Sequence, residues 1–381
     1  MKKNTLLFLA ILCISPIYAQ KQNINKNDLK QLTAFLNQKS ERDGKINADA
    51  LRIKDISDPS SWPGVELSDG NIKSISWRGY GLEGNLSLTN MVMLEKIDLS
   101  RNHITMADFR GCVTLKSIDV SHNQLSSLTF VRCPALLNLI CYQNRLSDLD
   151  ISTCASLQFV NCGDNLFVEF DAKSASSLVT LNIQGCKLEF LNIDSCVMLQ
   201  NLYCGYNQLT AFNLKINPAL LNLNIDSNNI PSLVIADQKN LQNLYCGNNN
   251  MRSLQLINCP SLTDLDCSYN DITRMWLVNC DYLSSIDCSY NDLSDLDLSN
   301  RTLLQRVNCS NNSISTLNVS ICPALVFVNC RNNPIVQVNT YGDINLQALL
   351  TPWNEWGPYN GYNYAPNYIL PPPPPSPIAP Y

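Results

Sequence analysis

The chain carries little charge, almost no histidine and no apolar run of bilayer length beyond its first twenty residues. Charged residues make up 15% of its 381 residues, and the formal net charge is −5. Without a basic excess nothing neutralises a phosphate backbone, so phosphate-driven nucleic-acid binding is not expected. Histidine occurs only at His103 and His122, with no third metal ligand evident beside them, and both read as exposed polar residues. The HExxH, GxSxG and Walker patterns are missing, and so is any CxxC pair for zinc. GYGLEG matches GxGxxG at Gly79, Gly81 and Gly84, but leucines continue past it where a nucleotide site needs a helix. The expectation is a protein that is not an enzyme and needs neither cofactor nor metal.

What is present begins with MKKNTLLFLAILCISPIYAQ. Two lysines, an apolar run and a small residue before Gln20 form a secretory signal over residues 1–19. Cys13 raises lipid attachment, but Leu12 stands where Gly or Ala is usual, so a lipoprotein is not expected. The mature chain is expected outside the cytoplasm, whether secreted, periplasmic or at the cell surface, and not spanning a membrane.

From Leu94 to Asn345 the sequence falls into rows of 21 without one insertion. LTDLDCSYNDITRMWLVNCDY, starting at Leu262, is followed directly by LSSIDCSYNDLSDLDLSNRTL. Column one is Leu in every row, column four is aliphatic, and column nine is Asn except at Cys186. This is the leucine-rich repeat pattern LxxLxLxxNxL. One row cannot bury its own apolar face, so the rows must stack around a continuous core. Columns three to seven alternate and predict short strands stacked about 4.8 Å apart, with columns four and six inward. The column-nine amide is placed to pair with backbone groups hidden from water. The expected fold is a leucine-rich repeat solenoid: a curved right-handed β-solenoid with a parallel sheet on the concave side, extended or 3₁₀ segments on the convex side, and a small helical N-terminal cap.

Sixteen cysteines follow the signal. Column six holds Cys141, Cys162, Cys204, Cys246, Cys267, Cys288, Cys309 and Cys330, and elsewhere Leu99, Val120, Ile183 or Ile225. A position that exchanges cysteine with aliphatics asks for a small buried hydrophobe. Column nineteen holds seven more, and Cys186 is the last. Disulfides are the usual reading of an exported, cysteine-rich chain, and stacked rungs lie within bridging distance. Parallel Cβ vectors and two competing neighbours per rung favour free structural thiols. In DCSYND, which occurs at 266–271 and 287–292, the cysteine is therefore expected inward, with Asp, Ser and Tyr outward.

These rows resemble bacterial internalin-type leucine-rich repeat proteins, above all the internalin J-like group with its cysteine ladder. The resemblance covers 94–345 and implies surface recognition or adhesion. No LPxTG signal stands at the end of the sequence, so wall anchoring is not expected. Residues 20–71 read as an N-terminal cap, with Leu29, Leu32, Phe35 and Leu36 on one helical face, and Trp62, with Trp77 just beyond the cap, is large enough to cover the open core. This stretch looks like the cap of plant-type leucine-rich receptors without their cysteine pair. Residues 72–93 form an irregular first repeat. Residues 346–381 hold a cap remnant and a Pro/Tyr-rich tail, in which Trp353 and Trp356 are candidate capping residues.

Columns three, five, seven and eight are expected to face solvent on the concave side. They present Tyr142, Tyr203, Tyr206, Tyr245, Tyr269 and Tyr290 among Asp226, Asp264, Asp266 and Asp287. Tyrosine gives large contact area with few rotors to freeze and a polar tip. Aromatics also simply suit sheet surfaces. The function expected is recognition of a protein partner across this face. A glycan partner, or a structural envelope role without a specific ligand, remains open.

Overall fold

The computed structural model describes residues 24–340 apart from 215–216. The signal segment and the cap remnant with its Pro/Tyr-rich tail therefore lie outside the described residues.

Each row contributes a strand of only three residues to one fourteen-stranded sheet. Its first pair, Val65–Ser68 with Asn71–Ser76, is antiparallel, and every later pair is parallel. The register advances one period per strand, as in Leu244↔Leu265 and Leu265↔Ile286. Column four is buried in every row because the alternation of a strand sends its middle residue inward. The sheet winds as a parallel β-solenoid of about 13 turns.

The opposite wall is extended too. Short parallel sheets form there, such as Leu233–Ala236 with Ser253–Ile257 and Arg274–Val278. Columns eleven, fourteen and sixteen supply its inward leucines and phenylalanines, among them Phe109, Phe130 and Phe167.

The column-nine asparagines tie row to row. Asn228 Nδ2 donates to the carbonyls of Cys204 at 3.1 Å and Ile225 at 3.0 Å, and Oδ1 accepts from Leu209 N–H at 2.9 Å. The same pattern recurs at Asn144, Asn165, Asn270 and Asn291. One buried amide thus pairs groups that the turn leaves without backbone partners. At Cys186 a thiol reaches Cys162 O only at 3.9 Å.

All sixteen described cysteines are unpaired thiols, and each is buried except Cys330, which is half-buried. Burial pushes the column-six thiols at Cys141, Cys162, Cys204, Cys246, Cys267, Cys288 and Cys309 far above their ordinary range.

Column nineteen has a second role that its cysteines conceal. Cys112 Sγ donates to Leu88 O at 2.9 Å, Cys133 to Phe109 O at 3.2 Å and Cys322 to Leu298 O at 3.2 Å. Of the described rows without cysteine here, three supply Asn217, Gln238 and Arg301, which donate to the equivalent carbonyls of Ile193, Leu214 and Leu277, and one holds the buried Ala175, which has no side-chain donor. Except at Ala175 the described residues of this column are buried groups able to donate, whereas column six holds hydrophobes.

At the N-terminal end a helix, Lys26–Leu36, covers the first rows. Asn25 starts it by accepting from the N–H groups of Asn27 and Asp28. Leu32, Phe35 and Leu36 are buried, and Phe35 stacks on Trp77 with centroids 6.5 Å apart. Trp62 also packs against Trp77, with centroids 6.4 Å apart and rings tilted by 50°. GYGLEG leads into a strand, Glu83–Ser87, so no helix follows those glycines.

Candidate concave-face recognition site

The concave strands end at column five, and the chain then turns out of the sheet. Column eight makes the turn with a left-handed backbone in every row. Asn248, Asn311 and Asn332 have φ of 49–55°, and Gly185 has φ 67°. Glycine and asparagine adopt that region at low cost, while a bulky side chain there costs roughly 1–2 kcal/mol. Tyr206, Tyr269 and Tyr290 nevertheless occupy it, with φ of 54–56°.

Tyr269 and Tyr290 stack with centroids 4.3 Å apart and planes 9° from parallel. They remain 55% and 42% exposed, which is a large apolar area to leave in water. Tyr206 is also exposed, while Tyr142, Tyr203 and Tyr245 are half-buried. Tyr142 is held by His122, whose Nε2 lies 2.9 Å from its hydroxyl in an edge-on contact. His103 instead meets Arg42 and Gln124, so the two histidines go to different partners. Among the described residues, no group of three or more His, Cys, Asp or Glu is placed to hold a metal ion.

Between the tyrosines runs an amide ladder. Asn222 Nδ2 donates to Asn201 Oδ1 at 2.6 Å, Asn243 Nδ2 donates to Asn222 Oδ1, and Asn201 Nδ2 donates to Thr180 Oγ at 3.2 Å. These side chains hold one another in line along the face. Asp264, half-buried, occupies the same column one row on.

Column seven corrects the sequence reading. The expectation places it in solvent, where Arg331 stands and Tyr142 and Gln184 partly stand, but Ser100, Ser121, Ser268, Ser289 and Ser310 are all buried. The strand is over before column seven, so alternation no longer applies, and the residue tucks against the following row. Gly205 shows how tight the place is, since a Cβ there would lie 2.7 Å from Asn224 Oδ1. In DCSYND the serine therefore points in. Its N–H and Oγ donate to Asp266 Oδ1 at 2.9 and 2.7 Å, and Ser289 does the same to Asp287. Each aspartate caps the end of its own strand with one oxygen. Burial and the neighbouring Asp287 raise the Asp266 pKa to about 6.

Asp226 is also corrected. Expected on the ligand-facing surface, it is only 3% exposed. Its row-on-row neighbour Gly247 follows Tyr245, which offers no carboxylate cap, and Asp226 Oδ1 accepts the Gly247 N–H at 2.6 Å instead. Asp226 Oδ2 is buried without a hydrogen-bond partner among the described residues. Burial first, and the Asp266 charge second, raise its pKa to about 8. Asp226 is thus a structural cap that holds its proton at neutral pH.

Comparison with known proteins agrees with this architecture. A family model for "Leucine Rich repeats (2 copies)" matches residues 239–277. No curated protein sequence matches the chain. Among solved structures, the functional domain of InlJ from Listeria monocytogenes, described as including a cysteine ladder, is 24% identical. It superposes with a TM-score of 0.56 over 68% of each chain. YopM from Yersinia pestis, described as a leucine-rich effector protein, is 23% identical with a TM-score of 0.60, over 70% of this chain and 74% of that one. YopM from Yersinia enterocolitica is 24% identical with a TM-score of 0.53, and the match spans 70% of this chain and 55% of that one. The likeness concerns the fold, which is that of a leucine-rich repeat solenoid, and the internalin-type row pattern fits it.

Proposed function

We propose that this leucine-rich repeat solenoid is an exported recognition module that binds a protein partner across its concave face. The observation that carries the reading is the stacked, exposed Tyr269–Tyr290 pair held in a left-handed column that suits asparagine better. Local energetics disfavour tyrosine there, and strain kept against a cheaper residue points to a role in binding. The half-buried Tyr203 and Tyr245 and the aligned amides of Asn201, Asn222 and Asn243 extend the surface over successive rows. Such breadth suits a protein partner better than a single sugar ring. The leucine-rich repeat fold supports protein recognition in general. Among the described residues no helix is long and apolar enough to cross a membrane. The signal at residues 1–19 supports delivery outside the cytoplasm.

The test uses Tyr269→Asn with Tyr290→Asn, because asparagine already fills this column in neighbouring rows. The expected stability is equal to or above that of the parent. Binding of residues 20–381 to a panel of extracellular and envelope proteins is then compared between the two forms. A partner whose affinity drops at least tenfold in the double variant supports the reading. Partners bound equally by both forms, or binding confined to a glycan array, would overturn it.

A further inference from the structure

The convex wall carries a local break in its own pattern. Column fifteen faces outward and is Asp, Asn or Thr in nine of twelve rows. There the polar side chain caps the N–H two residues on, as Asp297 does for Ser299 at 2.9 Å and Asp150 for Ser152 at 2.8 Å. In three consecutive rows the column holds Val234, Gln255 and Trp276 instead, followed two places later by Ala236, Ile257 and Val278. These rows form a three-stranded sheet in which Val234 pairs with Gln255 and Gln255 with Trp276, and Ala236 pairs with Ile257 and Ile257 with Val278. Val234 is 54% exposed, Trp276 41% and Val278 45%. Arg252 and Arg274 border the patch, and neither forms an ion pair with a described residue. Contiguous apolar surface with a charged rim marks a place where something docks.

We propose that the occupant is the segment around residues 353–370 of this same chain. Three observations select it. The described residues end on this wall, where Gln337–Asn339 pairs with Thr316–Asn318. Asn339 lies three 21-residue periods beyond Trp276 in the same column, roughly 15 Å away at about 4.8 Å per strand. Thirteen residues lie between Asn339 and Trp353, and extended this stretch spans roughly 45 Å, ample for the return. Finally, the segment's chemistry matches the patch. Trp353 and Trp356 flank Glu355, and residues 341–381 contain Asp343 and Glu355 but no lysine or arginine, opposite a rim of two arginines. Tethering places such a segment at millimolar effective concentration, so modest apolar contact suffices to hold it.

The experiment compares chymotryptic cleavage of the full chain after Trp353, Trp356 and Tyr359 with that of a Trp276→Asp, Val278→Ser variant. That variant restores the Asp-x-Ser pattern of residues 297–299. The solenoid is therefore expected to keep or gain stability, which unfolding checks directly. The expected result is cleavage at least tenfold faster in the variant, and several-fold faster in Glu355→Arg, with both proteins monomeric by sedimentation. Equal cleavage rates would overturn the proposal. So would protection that rises with protein concentration in a parent that sediments as a dimer, since a second copy would then cover the patch.

Discussion

Replacing Cys186 by asparagine should make the protein more stable, although it puts a polar amide into a buried place. The reasoning follows from the column-nine ladder. In intact rows the amide donates to the carbonyls 24 and three residues earlier and accepts from the N–H 19 residues earlier, as Asn228 does for Cys204, Ile225 and Leu209. At position 186 those groups are Cys162 O, Ile183 O and Phe167 N–H, and the thiol reaches Cys162 O only at 3.9 Å. Each buried neutral hydrogen bond contributes about 0.5–1.5 kcal/mol net. Ordering and desolvating the new side chain offsets part of three such bonds, which leaves a gain of about 1–2 kcal/mol. The mirror change, Asn228→Cys, orphans buried partners and should cost about 2–4 kcal/mol. Urea unfolding followed by far-ultraviolet circular dichroism reads both. With a slope of about 3 kcal/mol/M, the midpoint should rise by roughly 0.5 M for Cys186→Asn and fall by roughly 1 M for Asn228→Cys. A midpoint that falls in the first variant, or stays in place in the second, would refute the ladder as a source of stability.

Asp226 predicts a pH dependence. Its carboxyl, raised from 3.8 to about 8, keeps a proton in the folded state that the unfolded chain loses near pH 4. The folded state therefore binds more protons between these values, and stability falls as pH rises through that window. Asp266, raised to about 6, steepens the lower part of the fall. Asp226→Asn keeps an acceptor for Gly247 N–H and should flatten the slope. One proton held only by the folded state changes stability by about 1.4 kcal/mol per pH unit, so the variant should exceed the parent by several kcal/mol at pH 9 and match it near pH 4. Urea midpoints at pH 4, 7 and 9 decide this, and parallel curves would refute it. Arg301 tests the donor column. Arg301→Leu leaves the carbonyls of Leu277 and Cys280 without their guanidinium donors and should cost about 2–4 kcal/mol, while Arg301→Gln should cost clearly less because Gln238 already does that work. Equal thermal shifts for the two variants would show that the loss is one of charge or packing.

Much of the fold was legible because a 21-residue period leaves the stacking unit no freedom. Once Leu94, Leu115 and their successors align, the register of every strand is set. The inward place of the column-six cysteines followed from their exchange with Leu99 and Val120. The donor role of column nineteen was also written in the sequence, since Asn217, Gln238 and Arg301 share nothing but N–H groups. It went unread because cysteine serves both as a hydrophobe and as a donor. Column seven misled for a geometric reason. Alternation holds only while the chain is a strand, and these strands stop two residues sooner. The small residues at 163, 205, 247, 268 and 289 were a partial sign that column seven is crowded near Asp226, blurred by Tyr142, Gln184 and Arg331 in the same column. That Tyr269 and Tyr290 lie side by side follows from their shared column in adjacent rows. The left-handed backbone beneath them has no signature in tyrosine itself, and only the asparagines and glycine of other rows hint at it.

The asparagine ladder also has an arrow. Every amide serves the row before it: Asn333 Oδ1 accepts the N–H of Ile314, Asn312 that of Leu293, and so on back to Asn102, which accepts that of Leu82. The thiols and their replacements in column nineteen reach backward in the same sense. A row is therefore finished only when its successor arrives. Trimming the molecule from its far end strips partners from buried groups that stay behind, whereas trimming from its near end removes groups along with their claims. A chain that emerges leading end first carries a single unfinished edge, always at its trailing side, which moves along the molecule as each new row closes the last.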